Sequence, residues 1–142
     1  RSRKLQIAYE MGVVATIAGR AAAEMEERAA AVEADEQLLR QVLFNLALNA
    51  IQAVGENGAI QFCIQKDGAT EASLEIRDNG PGVPLDCRQE IFKPYFTTHQ
   101  KGTGLGLAIV QQIVSAHGWE IRCEANEPRG AVFSITHLKV AG

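Results

Sequence analysis

From Ile60 to Gln65 the chain alternates strictly, with Ile60, Phe62 and Ile64 on one side and Gln61, Cys63 and Gln65 on the other. A period of two predicts a strand with one buried face. Asp67-Gly68 predicts a turn, and Ser73–Asp78 returns as a second strand. Near the C-terminus, Trp119, Ile121 and Cys123 alternate with Glu120, Arg122 and Glu124. Phe133 and Ile135 then alternate with Ser134 and Thr136, and Pro128-Arg129-Gly130 makes the turn between these two strands. A short strand is also predicted around Leu5–Tyr9.

Other stretches carry the helical period. Residues 13–30 are rich in good helix formers. A second helix is predicted over Asp35–Val54, with Asp35 as N-cap and Asn57-Gly58 as the stop. A third runs over Gly104–His117, with Leu105, Ile109, Ile113 and Ala116 on one side, and Gly118 placed as its C-terminal glycine. Residues 79–103 read as irregular. Together these elements predict a two-layer α/β sandwich, with about three helices over one face of a mixed, mostly antiparallel sheet. At 142 residues the chain is expected to form a single domain, 1–142.

The second helix is apolar in nearly every direction except one. At 100° per residue, Gln41, Asn49 and Gln52 fall within about 40° of Asn45. A helix so apolar is expected to be buried, and a buried amide without a partner costs ~1–3 kcal/mol. The stripe is therefore either a structural ladder satisfied by backbone and water, or a seat for a polar guest. Asparagine oxygens suit Mg²⁺, which usually arrives with phosphates and waters.

Asp78 shares the parity of Leu74 and Ile76, so it should face the covered side of the sheet, while Arg77 faces away. A carboxylate there needs a donor. An exocyclic amine such as adenine N6 would serve, and Gly80 and Gly82 would let backbone approach a flat ligand. The alternative is a plain Asp78-Asn79-Gly80 turn. Gly102-Thr103-Gly104-Leu105-Gly106 opens the third helix, where unpaired N–H groups and the helix dipole favour phosphate. Its spacing fits neither the dinucleotide fingerprint nor the P-loop. The loop between the glycine runs, 84–101, holds three of the eight aromatics, so it reads as a functional lid more than as disorder. Lys101 and His99 could reach phosphates from it. His117 and His137 are given no chemistry.

Composition narrows the class. The chain is 46% hydrophobic and 22% charged, with a net charge of -3, as expected of a globular domain that does not bind nucleic acid. Cys63, Cys87 and Cys123 are odd in number and lack CxxC spacing, so reduced thiols in the cytoplasm are expected, without disulfide or zinc. No apolar run approaches the ~20 residues of a membrane span, and no signal peptide is evident. Starting at Arg1, the chain reads as a piece of a larger protein that could itself be membrane-tethered, with no direct membrane contact from this domain.

Four ordered motifs resemble the catalytic ATP-binding domain of sensor histidine kinases, within the superfamily that includes gyrase, Hsp90 and MutL. Asn45–Ala50 matches the N box, Asp78–Gly82 the G1 box, Phe92–Thr98 the F box and Gly102–Leu107 the G2 box. Gly130–Phe133 looks like the closing glycine segment. The match covers about residues 35–138. Gln52 and Thr97-Thr98 look most like the nitrogen-regulation type. His99 and Trp119 stand where lysine and glycine are common, and residues 1–34 are shorter and more alanine-rich than the usual entry segment.

The resemblance implies the Bergerat fold and bound ATP and Mg²⁺. Asn45 and Asn49 would hold the metal and phosphate oxygens, and Asp78 would receive the adenine amine. Gly80 and Gly82 would shape the base pocket. Thr97, Thr98, Lys101, Gly102, Thr103, Gly104, Leu105 and Gly106 would line the phosphate side. The implied partners are a histidine-bearing dimerisation domain and a response regulator receiver domain. Hydrolytic relatives carry a glutamate at the position of Asn45, and an amide cannot act as general base. Phosphoryl transfer to an external histidine is therefore expected over hydrolysis, since no histidine here lies in the family's H-box context. A hydrolytic ATPase of the same fold and a non-catalytic nucleotide-responsive module are the alternatives.

Overall fold

The computed structural model describes residues 2–8 by their backbone path, together with 35–54, 58–96 and 105–139. The helix expected over 13–30 lies outside these residues, as do Asn57, Thr97, Thr98, His99, Lys101, Gly102, Thr103 and Gly104.

In chain order the elements are β1 (Ser2–Ala8), α1 (Glu36–Val54), β2 (Ala59–Asp67), β3 (Glu71–Asp78), α2 (Gly106–Ala116), β4 (Glu120–Ala125) and β5 (Ala131–Lys139). The five strands form one sheet in the order β1-β2-β3-β5-β4. Every neighbouring pair is antiparallel. β1 begins earlier than Leu5 because its register on β2 extends from Ser2↔Gln65 to Ala8↔Ala59. Within the irregular stretch, Leu85–Cys87 and Glu90–Phe92 form two short 3-10 turns. The Phe92 ring meets Phe133 edge-on, with centroids 6.2 Å apart, and so fastens the second turn to the sheet.

The helices lie against each other and against the sheet. Ile60, Phe62 and Ile64 of β2, Leu74 and Ile76 of β3, and Phe133 and Ile135 of β5 are buried beneath Leu39, Val42, Leu43, Leu46 and Val110. The burial alternation along β3 continues to its last residue, so Asp78 enters the same layer. β5 carries one extra residue between its pairings with Ala72 and Leu74, where His137 takes φ 70°. A bulge absorbs such a residue.

Asp35 caps α1 as expected. The backbone N–H of Leu38 donates to Asp35 Oδ1 at 3.0 Å, and Leu39 N–H makes the first helical bond to Asp35 O. Asp35→Ala is expected to lower stability by about 1 kcal/mol in urea denaturation, the usual value of such a cap. Two helix faces differ from expectation. α2 buries Val110, Ile113 and Val114, while Ala116 is exposed. In α1 the amide stripe is not sealed, with Gln41 and Gln52 exposed and Asn45 and Asn49 half-buried, and Phe44 is also exposed.

Candidate functional site

Asp78 is the only buried charged residue among those described, with 3% of its surface exposed. Its Oδ1 accepts the N–H groups of Gly80 at 2.9 Å and Ala131 at 3.3 Å. Burial pushes the carboxyl above its ordinary 3.8, against the smaller downward pull of these two N–H donors. Among the described residues no donor reaches Oδ2. The buried acid is thus anchored by one oxygen and has the other available.

The loop after Asp78 is gripped from three directions. Asn79 Oδ1 accepts Ala59 N–H at 2.9 Å, tying the loop to the start of β2. A Cβ on Gly80 would sit 2.8 Å from the Ala53 carbonyl oxygen, so the loop lies directly on the last turn of α1. The third grip comes from the β4–β5 turn. Asn126 Nδ2 donates to Asp78 O at 2.9 Å, and Arg129 Nε donates to Gly80 O at 2.9 Å. Asn126 is itself held by Arg77 Nη1 at 3.1 Å. Gly82 approaches the Gly130 carbonyl so closely that a Cβ would lie 3.0 Å from that oxygen. Sequence reasoning missed Asn126, Arg129 and Ala131 as parts of this wall. The turn signal Pro128-Arg129-Gly130 was present, but its neighbour across the sheet was not readable.

The middle of α1 meets the start of α2. Asn45 Nδ2 donates to Gln41 O at 2.9 Å, which fixes the amide and leaves Oδ1 as the outward atom. A Cβ on Gly106 would lie 3.2 Å from that Oδ1. Among the described residues no side chain caps the N-terminus of α2, and Ile109 N–H donates to Leu105 O. The N–H groups of the first turn therefore lack intrahelical acceptors. Leu105, half-buried, is the residue before α2. Asn49 lies between the two contacts. From Asn45 to Ala53, which touches Gly80, α1 advances about 12 Å.

The structure thus brings Gly106 to Asn45 in the middle of α1, and Gly80 to both Asp78 and the last turn of α1, with Gly82 against Gly130. Thr97, Thr98, Lys101, Gly102, Thr103 and Gly104 lie outside the described residues. A separate groove of about 960 Å³, lined by Leu85, Phe92, Gln111, Ile121 and Cys123 among others, includes none of the site residues.

A protein-family model described as "Histidine kinase-, DNA gyrase B-, and HSP90-like ATPase" matches residues 34–142. The chain belongs to this ATPase family. Sensor histidine kinase ZraS of Salmonella typhimurium is 45% identical over 104 residues, covering 73% of this chain and 22% of that protein. The chain therefore spans about a fifth of the length of such curated relatives. The catalytic domain of histidine kinase ThkA superimposes with TM-score 0.69 at 33% identity, over 95% of this chain and 98% of that one. ThkA has also been solved in complex with response regulator protein TrrA, and that chain matches with TM-score 0.66 at 30% identity, over 94% of this chain and 42% of its own length. Full-length ShkA, solved in complex with AMPPNP, matches with TM-score 0.70 at 26% identity, over 96% of this chain and 32% of its own. Both the expected family and the expected fold are borne out.

Proposed function

We propose that residues 1–142 form one domain that binds Mg-ATP along the α1 stripe and donates the γ-phosphoryl group to a histidine on a separate dimerisation domain. A response regulator receiver domain would be the next acceptor. The placement is cytoplasmic; among the described residues no helix is long and apolar enough to cross a membrane.

The observation that carries the reading is the Asn45 oxygen, to which no described residue donates, set against Gly106 at the start of α2. Oxygen ligands and helix N–H donors at one point suit a metal-bound phosphate. Asn45 and Asn49 are the residues that would hold Mg²⁺, which when bound would neutralise phosphate charge. Phosphoryl transfer needs mainly positioning and charge neutralisation, and Asn45 offers no base to activate water. At the other end, the Asp78 Oδ2 is a buried acceptor suited to the adenine amine, with Gly80 and Gly82 against the base. Thr97, Thr98, Lys101, Gly102, Thr103, Gly104 and Leu105 complete the phosphate side in this reading.

The deciding experiment incubates the chain with Mg-ATP, alone and with a histidine-bearing dimerisation domain in trans. Acid-labile phosphohistidine on the added domain, with little phosphate released in its absence, is the expected result. Equal phosphate release to water with or without acceptor would instead make the chain a hydrolytic ATPase. Gly106→Ala supplies a finer check. Its Cβ would press on Asn45 Oδ1 at 3.2 Å. Mg-ATP affinity should fall about tenfold in calorimetry, while urea stability holds or rises by up to ~1 kcal/mol, because alanine favours helix over glycine.

A further inference from the structure

His117 takes no part in the site described above, yet its ring is held on three sides. Nδ1 lies 2.8 Å from the Ile113 carbonyl oxygen, one turn back in α2. The backbone N–H of Asp35 donates to Nε2 at 3.4 Å, across 82 residues of sequence. The ring stacks on Trp119, with centroids 4.3 Å apart and planes 21° from parallel. Trp119 is itself buried.

These partners define the state of the ring. A carbonyl only accepts and an amide N–H only donates. The proton therefore resides on Nδ1, and Nε2 presents its lone pair. No other neutral tautomer satisfies both contacts.

The position of this pin matters more than its strength. Asp35 is the residue at which the chain enters α1, and its side chain caps that helix. His117 immediately follows α2. Asn45 lies ten residues beyond Asp35, and Gly106 lies eleven residues before His117. On helices these separations span about 15 Å and about 16.5 Å. The two helices are thus antiparallel and joined at both ends of a matched length. One joint is Asp35 to His117. The other is Asn45 against Gly106.

We propose that His117 is a positioning residue for the phosphate end of the site. By fastening the end of α2 to the entry of α1, it fixes how far one helix slides along the other, and so where Gly106 stands relative to Asn45. The inference rests on the nucleotide reading above. His117 lies a full helix length from Gly106, so it acts without touching the ligand.

The test compares His117→Phe, which keeps the stacking but loses both hydrogen bonds, with His117→Gln, whose amide can restore a donor and an acceptor. Two ligands separate positioning from general stability. Mg-ATP uses both ends of the site, whereas adenosine uses only the Asp78 end. The Phe variant should bind Mg-ATP about three- to tenfold more weakly, the range of a moderate indirect coupling, with adenosine binding unchanged in NMR titration. The Gln variant should recover Mg-ATP binding to within about twofold of wild type. Unchanged Mg-ATP affinity in the Phe variant, or parallel weakening of both ligands, overturns the proposal. So does imidazole ¹⁵N NMR of the wild-type chain showing the proton on Nε2, a measurement that needs no variant to fold. If the wild type binds no Mg-ATP, both this inference and the nucleotide reading fall. If Asp78→Asn abolishes binding while His117→Phe retains it fully, this inference falls alone.

Discussion

Asp78→Asn is expected to lower ATP affinity by about a hundredfold, the scale of a lost charged hydrogen bond. The apo fold should stay as stable as wild type, or become more so. Gly80 and Ala131 both point backbone N–H groups at Oδ1, at 2.9 and 3.3 Å. They leave an asparagine no choice of orientation. Its oxygen must face them, and its Nδ2 must take the place of Oδ2. The adenine amine would then meet a donor instead of an acceptor. Calorimetric titration with ATP reads the loss, and undiminished affinity would sink the assignment of Asp78 to the base.

The stability half of that prediction follows from linkage. Burial holds the Asp78 carboxyl above 3.8, so the native state favours the protonated form relative to the unfolded chain. The stabilisation is fully present below the unfolded value and is lost as pH rises through the elevated native one. Above that elevated value the apo protein therefore carries a buried carboxylate whose cost asparagine removes. The stability of Asp78→Asn relative to wild type should rise as pH increases above about 4 in urea denaturation. A difference flat across that range would show that the native carboxyl is not perturbed. A site residue that costs stability until its ligand arrives is a familiar compromise in binding proteins.

Local signals carried the parts of this molecule that depend on near neighbours. The Asp35 cap, the end of α1 and the alternation of β2 and β3 all follow from residues within a few positions. Strand parity alone turned Asp78 inward. The β4–β5 turn was hidden because its importance comes from strand order. β5 lies between β3 and β4, and a period of two does not name a strand's neighbour. That adjacency is what brings Asn126, Arg129 and Ala131 to Asp78. The buried face of α2 was misread for a related reason. Its apolar residues wrap much of the helix, so Val110 and Val114 win burial through the placement of α1 and the sheet, which no helical wheel contains. The amide stripe was expected inside but lies half-open on the side of α1 towards Gly106. His117 read as a plain last-turn residue because Asp35, the partner that gives it meaning, is 82 positions away.

Gly130→Ala should be the most damaging single methyl group in the described structure. Gly130 has φ 108°, a conformation that side-chain-bearing residues rarely adopt. Its added Cβ would overlap the Asp78 carbonyl oxygen, and would lie 2.7 Å from the carbonyl carbon and 2.9 Å from Asn79 Cα. All three are backbone atoms at the end of a central strand, so no rotamer change relieves the clash. The turn must back away. Retreat breaks Asn126 to Asp78 O, Arg129 to Gly80 O and Ala131 N–H to Asp78 Oδ1 together. The last of these losses also takes one donor from the buried carboxylate. A combined cost of about 4 kcal/mol or more is expected, which for a domain of this size lowers Tm by roughly 10–15 °C. ATP binding should be lost with it. Gly68→Ala is the control, because Gly68 also has positive φ, 78°, but an added Cβ meets nothing within 4 Å. It should cost only about 1 kcal/mol, the backbone share alone. Equal losses in the two variants would mean that the turn does not rest on Asp78.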